Sequence, residues 1–268
     1  MPKLNHLQIY KMLQKSNCRE CGVPTCLAFA AAVLGGEKRV SDCPHLDAET
    51  ARELEEQLGT PQRPVDDDWE QALKELKARV ETVDLPSRAS RLGGEFIDGR
   101  LAIKCLGKDF FVDASGSLTS ACHNNPWVVI PLLGYIINGA GREPTGKWMP
   151  FKDLKGGEDW GRLFAQRCEK PLKQIVDNHT ELFELVIEIF EGKPVENELA
   201  PDISVVIHPL PKFPIQICYW KEDGAIESTL SLFFDSSAND NLNIQAIYTL
   251  GVGLVTMFEK ITLTHDKR

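Results

Sequence analysis

The sequence predicts an α+β protein in two parts: a small helical module over residues 1–60, then a larger domain over 67–268 whose antiparallel sheet is packed by helices. Three features predict it. Four of the eight cysteines fall within the first 43 residues, beside apolar stretches of helical character. The segment GTPQRPVDDD, residues 59–68, then interrupts the pattern, because Gly59 can cap a helix and Pro61 and Pro64 prevent its continuation. Beyond it the apolar period alternates between the helical value and the two-residue repeat of strands.

Each element follows from local chemistry. MPKLNHLQIYKMLQK reads as an amphipathic helix, with Leu4, Leu7, Tyr10 and Leu13 on one broad face. PTCLAFAAAVLGG is an almost wholly apolar helix ended by Gly35-Gly36, and DAETARELEEQL is a third, capped by Asp47. In DWEQALKELKARVETV the apolar residues at 69, 72, 73, 76, 80 and 83 form a helical stripe that stops before Pro86. EFIDGRLAIKCLGKDFFVD reads as a hairpin or small meander turning at Asp98-Gly99 and Gly107-Lys108. PWVVIPLLGYIINGA is apolar nearly all round, which predicts a buried helix bent or started near Pro131. Helices follow in GEDWGRLFAQRCEKPLKQIV and TELFELVIEIFEG, strands in DISVVIHPLP, FPIQICYW and STLSLFFD, and a last helix in NIQAIYTLGVGLVTMFEKI.

Composition narrows the function classes. At 43% hydrophobic and 26% charged, the chain buries an ordinary core. Its formal charge of −9 opposes general nucleic-acid binding, which needs a basic footprint. No window has the long uncharged apolar run of a membrane span, and the first residues lack a signal peptide's apolar stretch and cleavage site. The expected location is therefore cytoplasmic, where disulfides are rare.

Cys18, Cys21, Cys26 and Cys43 form C-x2-C-x4-C-x16-C, the strongest signal in the chain. Two thiolates with two residues between them can face one cavity from a single turn. Cys26 follows Pro24, which suits the first position of a helix, so its sulfur is expected near unpaired helix amides. Pro44 keeps the backbone at Cys43 extended. A cubane needs four thiolates around a wide body, so one tight pair plus two distant ligands fits a [4Fe-4S] cluster. Structural zinc more often uses two tight pairs. Zinc and metal-free thiols stay open as alternatives, and the cluster is favoured. A module this small also has little core to fold on without a staple.

LQKSNCRECGVPTCLAFAAAV with SDCPH resembles the four-cysteine domain at the N-terminus of the large subunit of the corrinoid iron-sulfur protein, and that of the B subunit of Rnf-type oxidoreductases. The resemblance covers about residues 4–58 and matches all four cysteine positions. It implies one [4Fe-4S] cluster that passes single electrons, in the first family to reactivate a cobalt(II) corrinoid. The stretches GKWMPFKDLKGG, LFAQRCEKPL, PLPKFPIQICYW and LFFDSSANDNL resemble an uncharacterised domain family of anaerobes over residues 70–262, which implies no activity.

The larger domain offers weaker candidates. Cys105, Cys122, Cys168 and Cys218 are far apart and read as small buried hydrophobes. His123 in ACHNNPW is a candidate axial ligand for a haem or corrinoid beside the apolar helix, against the plainer reading of a histidine bonded to a loop carbonyl. DNHTEL begins like the corrinoid motif at Asp177 and His179, but Leu182 stands where glycine is needed. FFDSSANDN gathers Asp235 and Asp240 with amides and hydroxyls, suiting a hard cation or, more commonly, a loop entering a helix at Asn243. Trp148, Trp160 and Trp220 suit a flat-cofactor pocket or simply the core. No catalytic residue is identified. The expected function is a [4Fe-4S] electron-transfer protein of low-potential anaerobic metabolism, with corrinoid or one-carbon links and a redox partner protein such as a corrinoid protein. Alternatives are a corrinoid or haem carrier or reductase using the larger domain, and an interaction scaffold with a structural cluster.

Overall fold

Capping and apolar spacing set the helices of the N-terminal region. The computed structural model describes residues 6–34, 38, 40–57, 69–121, 125–196, 198–224 and 226–265. The chain divides into two compact units, Met1–Arg63 and Pro64–Arg268. In the first, α1 (His6–Met12) packs on α2 (Cys26–Leu34), and α3 (Ala48–Gln57) follows a short 3-10 turn, Val40–Asp42. Ile9, Leu13, Phe29, Ala30, Val33, Val40 and Leu54 make a core of their own. Leu4 and the side chain of Leu7 lie outside what is described; among the described residues Ile9, outside the expected stripe, is buried in α1, and Leu13 just beyond it is buried as expected. Asp47 caps α3 as expected, accepting from the Thr50 amide (2.8 Å) and hydroxyl (2.8 Å), and these bonds hold its carboxyl below the usual range.

The second unit opens with α4 (Trp69–Val80) and α5 (Leu85–Leu92). Pro86, expected only as a stop, sits in the first turn of α5, where a missing N–H is harmless; Asp84 is the N-cap. A four-stranded antiparallel sheet follows in the order β1 (Glu95–Ile97), β2 (Arg100–Cys105), β3 (Lys108–Val112) and β4 (Leu118–Ser120). The first turn is Asp98-Gly99 as expected. The second is Leu106-Gly107, one residue earlier than expected, with both residues left-handed. The buried Leu106 is held there by donating to the Pro209 carbonyl (3.1 Å).

Helix α6 (Pro126–Asn138) begins well before Pro131, which lies inside it; Asn125 caps it by accepting from the Trp127 amide (3.1 Å). Its C-terminal end is closed by cations, as a helix dipole favours. Arg88 donates to the Ile137 (2.6 Å) and Gly139 (2.7 Å) carbonyls, and Arg91 to that of Ala140 (2.8 Å). After β5 (Trp148–Pro150), α7 (Gly161–Phe164) runs through a π turn, Ala165–Glu169, into α8 (Lys170–Asn178), and α9 (Thr180–Ile189) follows.

The expected single sheet is in fact two. Beside β1–β4 stands a five-stranded antiparallel sheet in the order β5, β9 (Thr229–Asp235), β8 (Phe213–Trp220), β7 (Ile203–Leu210), β6 (Lys193–Pro194). Ile215, Ile217 and Tyr219 of β8 pair with Phe234, Leu232 and Leu230 of β9 and join one core with Leu172 and Val176 of α8. After the short α10 (Ala238–Asn241), α11 (Ile244–His265) closes the described chain. Ile244–Thr262 is long and apolar enough to span a membrane, but half of it is buried, and Ile247, Leu250, Leu254 and Phe258 belong to the core.

Candidate metal centre

The loop between α1 and α2 carries Cys18 and Cys21. Lys15 (φ 58°), Asn17 (51°), Arg19 (67°) and Gly22 (77°) are all left-handed. Alternation of right- and left-handed residues can turn backbone N–H groups toward one side, as at many anion sites, and here the Asn17 amide is directed at a cysteine sulfur. Only Gly22 adopts it freely; the other three are strained by about 1 kcal/mol or more each.

Asn17 fastens this loop to the next cysteine. Its side-chain oxygen accepts from the Cys26 amide (2.8 Å), and its own amide donates to Cys26 Sγ (3.3 Å). Thr25, not Pro24, is adjacent to the start of α2, and its hydroxyl accepts from the Ala28 amide (3.0 Å) as an N-cap. Pro24 stands one residue outside the cap rather than at the expected first helical position. Cys26 is itself the first residue of α2, so its sulfur sits at the positive end of that helix. Cys43 lies just past the 3-10 turn, its amide donating to the Val40 carbonyl (3.3 Å).

None of the four thiols is in a disulfide; Cys26 is buried and the others are half-buried. Cys21 and Cys43 border the apolar core, which keeps water from one side of the group. Among the described residues, the metal-type donors that converge within 4.8 Å of one another are Cys18, Glu20 and His45. No three of the four thiols come that close. A tetrahedral zinc site with Zn–S near 2.3 Å places its sulfurs about 3.8 Å apart. The four thiols therefore stand wider apart than in a closed tetrahedral site. His45 Nε2 and Glu20 Oε2 lie 3.1 Å apart, linking the two ends of the motif. Sequence reasoning passed over Asn17, Glu20 and His45, although all three lie within or beside the quoted cysteine stretches.

In the second unit, Cys105, Cys168 and Cys218 are buried, as small core residues should be, and burial pushes the Cys168 thiol well up. Cys122 and His123 lie outside the described residues. Asp177 accepts from Tyr219 Oη (2.7 Å), Ser228 Oγ (2.8 Å) and Lys173 Nζ (2.8 Å), a brace between α8 and the sheet. Asp235 spends its lone pairs on Thr145, Gly146 and Ser237, and Asn241 bonds to the backbone of Arg142 and Lys212. FFDSSANDN is thus a latch holding the 142–147 loop. Trp160 is core, tilted against Tyr248 (5.3 Å), whereas Trp148 and Trp220 are half-buried on the sheet.

Residues 84–257 match the family described as "Domain of unknown function (DUF3786)", nearly two thirds of the chain. The chain belongs to the DUF3786 family. Residues 13–45 match a second family, described as "Putative Fe-S cluster", which supports an iron-sulfur cofactor in the first unit. The chain is 39% identical to the acetyl-CoA decarbonylase/synthase complex subunit gamma of Methanopyrus kandleri over 61 residues, 23% of this chain and 13% of that protein. It is 45% identical to the corrinoid/iron-sulfur protein large subunit of Moorella thermoacetica over 58 residues, 22% of this chain and 13% of that one. A match to the complex subunit gamma 2 of Methanosarcina mazei is 29% identical over 116 residues, 43% of this chain and 22% of that protein. This last stretch is too long to lie within the first unit alone. The chain therefore spans under a quarter of each relative's length. No solved structure matches it significantly.

Proposed function

We propose that this DUF3786 protein is a [4Fe-4S] electron-transfer protein of low-potential anaerobic metabolism, set in corrinoid or one-carbon chemistry and located in the cytoplasm. Cys18, Cys21, Cys26 and Cys43 hold the cluster. The observation that carries the reading is the four-thiol group itself, free of disulfides, on a left-handed loop and a helix start. Similarity to a corrinoid/iron-sulfur protein and to decarbonylase/synthase subunits supports the metabolic setting. When bound, a [4Fe-4S] cluster exchanges single electrons at low potential.

The chain's own residues prepare the site. Asn17 fixes Cys26 at the start of α2, and Thr25 secures that start. The N–H groups of the loop and helix end stabilise negative sulfur and tune the potential. The DUF3786 unit recognises the redox partner, a corrinoid protein on this reading. The test is anaerobic purification of the full chain, with iron, acid-labile sulfide and zinc measured per chain. The expected result is equal iron and sulfide, with visible absorption that bleaches on dithionite and is lost in a Cys21→Ala variant. Zinc without iron or sulfide refutes the proposal.

A further inference from the structure

Two residues outside the four-cysteine motif stand beside one of its thiols. Glu20 lies between Cys18 and Cys21, and His45 follows Cys43 with Pro44 between. A carboxylate oxygen of Glu20, an imidazole nitrogen of His45 and the Cys18 sulfur lie within 4.8 Å of one another. The Glu20 side chain is 56% exposed and that of His45 37%, so neither is held there by core packing. Among the described residues, no comparable group includes Cys21, Cys26 or Cys43. The site is asymmetric: one corner has spare donors.

We infer that Glu20 and His45 are reserve ligands for the iron carried by Cys18, making that corner of the cluster the exchangeable one. The inference rests on the cluster reading above. Imidazole and carboxylate both ligate iron, and histidine replaces cysteine on one iron of Rieske centres. The exchange is a ligand substitution without redox change. The thiolate leaves with its electron pair, and an imidazole nitrogen or a carboxylate oxygen donates a pair to the same iron. Replacing a thiolate by neutral imidazole removes one negative charge beside the cluster, which raises its potential; a carboxylate keeps the charge. While Cys18 stays bound, the Glu20–His45 contact ties the Cys43 arm to the Cys18 turn.

The experiment compares Cys18→Ala, Cys21→Ala, Cys26→Ala and Cys43→Ala in the full chain, purified anaerobically, by iron and sulfide content and by pulsed EPR of the reduced state. C18A is expected to keep most of the wild-type iron and sulfide, with a raised potential, while the other three keep little. Histidine ligation adds a nitrogen hyperfine coupling that the C18A/H45A variant lacks, and C18A/E20A/H45A falls to the level of C21A. The inference is overturned if C18A loses its cluster as C21A does while the wild type holds one. A wild type without iron and sulfide sinks the cluster reading instead. A second measurement leaves all four cysteines in place, which covers a C18A chain that does not fold. On mild oxidation, E20A/H45A is expected to lose iron to a chelator several-fold faster than wild type, and an equal rate refutes the reserve-ligand role.

Discussion

Replacing Asp235 by Asn tests whether charge, rather than shape, holds the 142–147 loop to the end of β9. The residue is 1% exposed. Oδ1 accepts from the amides of Thr145 (3.0 Å) and Ser237 (2.9 Å) and from the Ser237 hydroxyl (2.7 Å), and Oδ2 accepts from the Gly146 amide (2.7 Å). An asparagine keeps the shape, but whichever way its amide turns, its NH2 group meets a backbone N–H. The change removes one charge-assisted bond, worth about 1.5–3 kcal/mol, and strands a buried donor at about 1–3 kcal/mol. These overlap, so the expected loss is about 3 kcal/mol. For a unit of this size that lowers Tm by about 6–12 °C. All five tryptophans lie between residues 69 and 220, so tryptophan fluorescence in a urea titration reports this unit alone. Burial pushes the Asp235 carboxyl up, but the bonds from Thr145, Ser237 and Gly146 outweigh it and hold the pKa below the usual carboxylate value. A carboxyl depressed in the folded state contributes stability above its unfolded value of about 3.9 and loses it as pH falls through the folded value. The gap between wild type and D235N should therefore be constant near neutrality and close below about pH 4. A loss under about 1 kcal/mol, or a gap indifferent to acid, refutes the argument.

Four further substitutions separate structural from metal-binding roles. Gly141 is left-handed (φ 66°), and a Cβ there meets the Arg91 carbonyl oxygen at 2.3 Å, so G141A should cost about 3 kcal/mol in the same titration. C105A, C168A and C218A should each lose only about 1 kcal/mol and leave iron and sulfide per chain unchanged; a loss of iron in any of them makes that cysteine more than a core residue.

What was legible in the sequence follows from length and period. Helices α4 and α11 and strands β7 and β8 carry long apolar patterns, and each stands where its pattern placed it. Strands β4, β5 and β6 have three, three and two residues, too few for any period; they exist because β3, β9 and β7 offer edges to pair with. Helix α5 did have a local signal, Leu85, Ala89 and Leu92 buried behind an Asp84 cap, but Pro86 reads equally as the end of one helix or the first turn of the next. The four cysteines were legible because two short spacings fix ligand geometry locally. His45 was not, since 27 positions separate it from Cys18 and only the fold brings it there; Glu20, two residues from Cys18, carries no signal of its own until His45 stands beside it.

The strain in the cysteine loop bears on what the bound group does for the fold. Lys15, Asn17 and Arg19 together store about 3 kcal/mol in left-handed backbone. A unit of some sixty residues has a net stability of only about 3–9 kcal/mol. The buried apolar residues of this unit come from three short helices and one turn, and the Asn17–Cys26 clasp offsets part of the strain with two hydrogen bonds, about 2 kcal/mol. Strain of that size persists where something outside the apolar core depends on it. Straightening the loop removes the strain and also breaks the bond from the Asn17 amide to Cys26 Sγ. On the proposed function that cost is recovered when thiolate is ligated there, so ligation and folding of the first unit should form one equilibrium: removing iron with a chelator should unfold that unit, seen as a loss of helical circular dichroism, and an unchanged spectrum refutes the coupling.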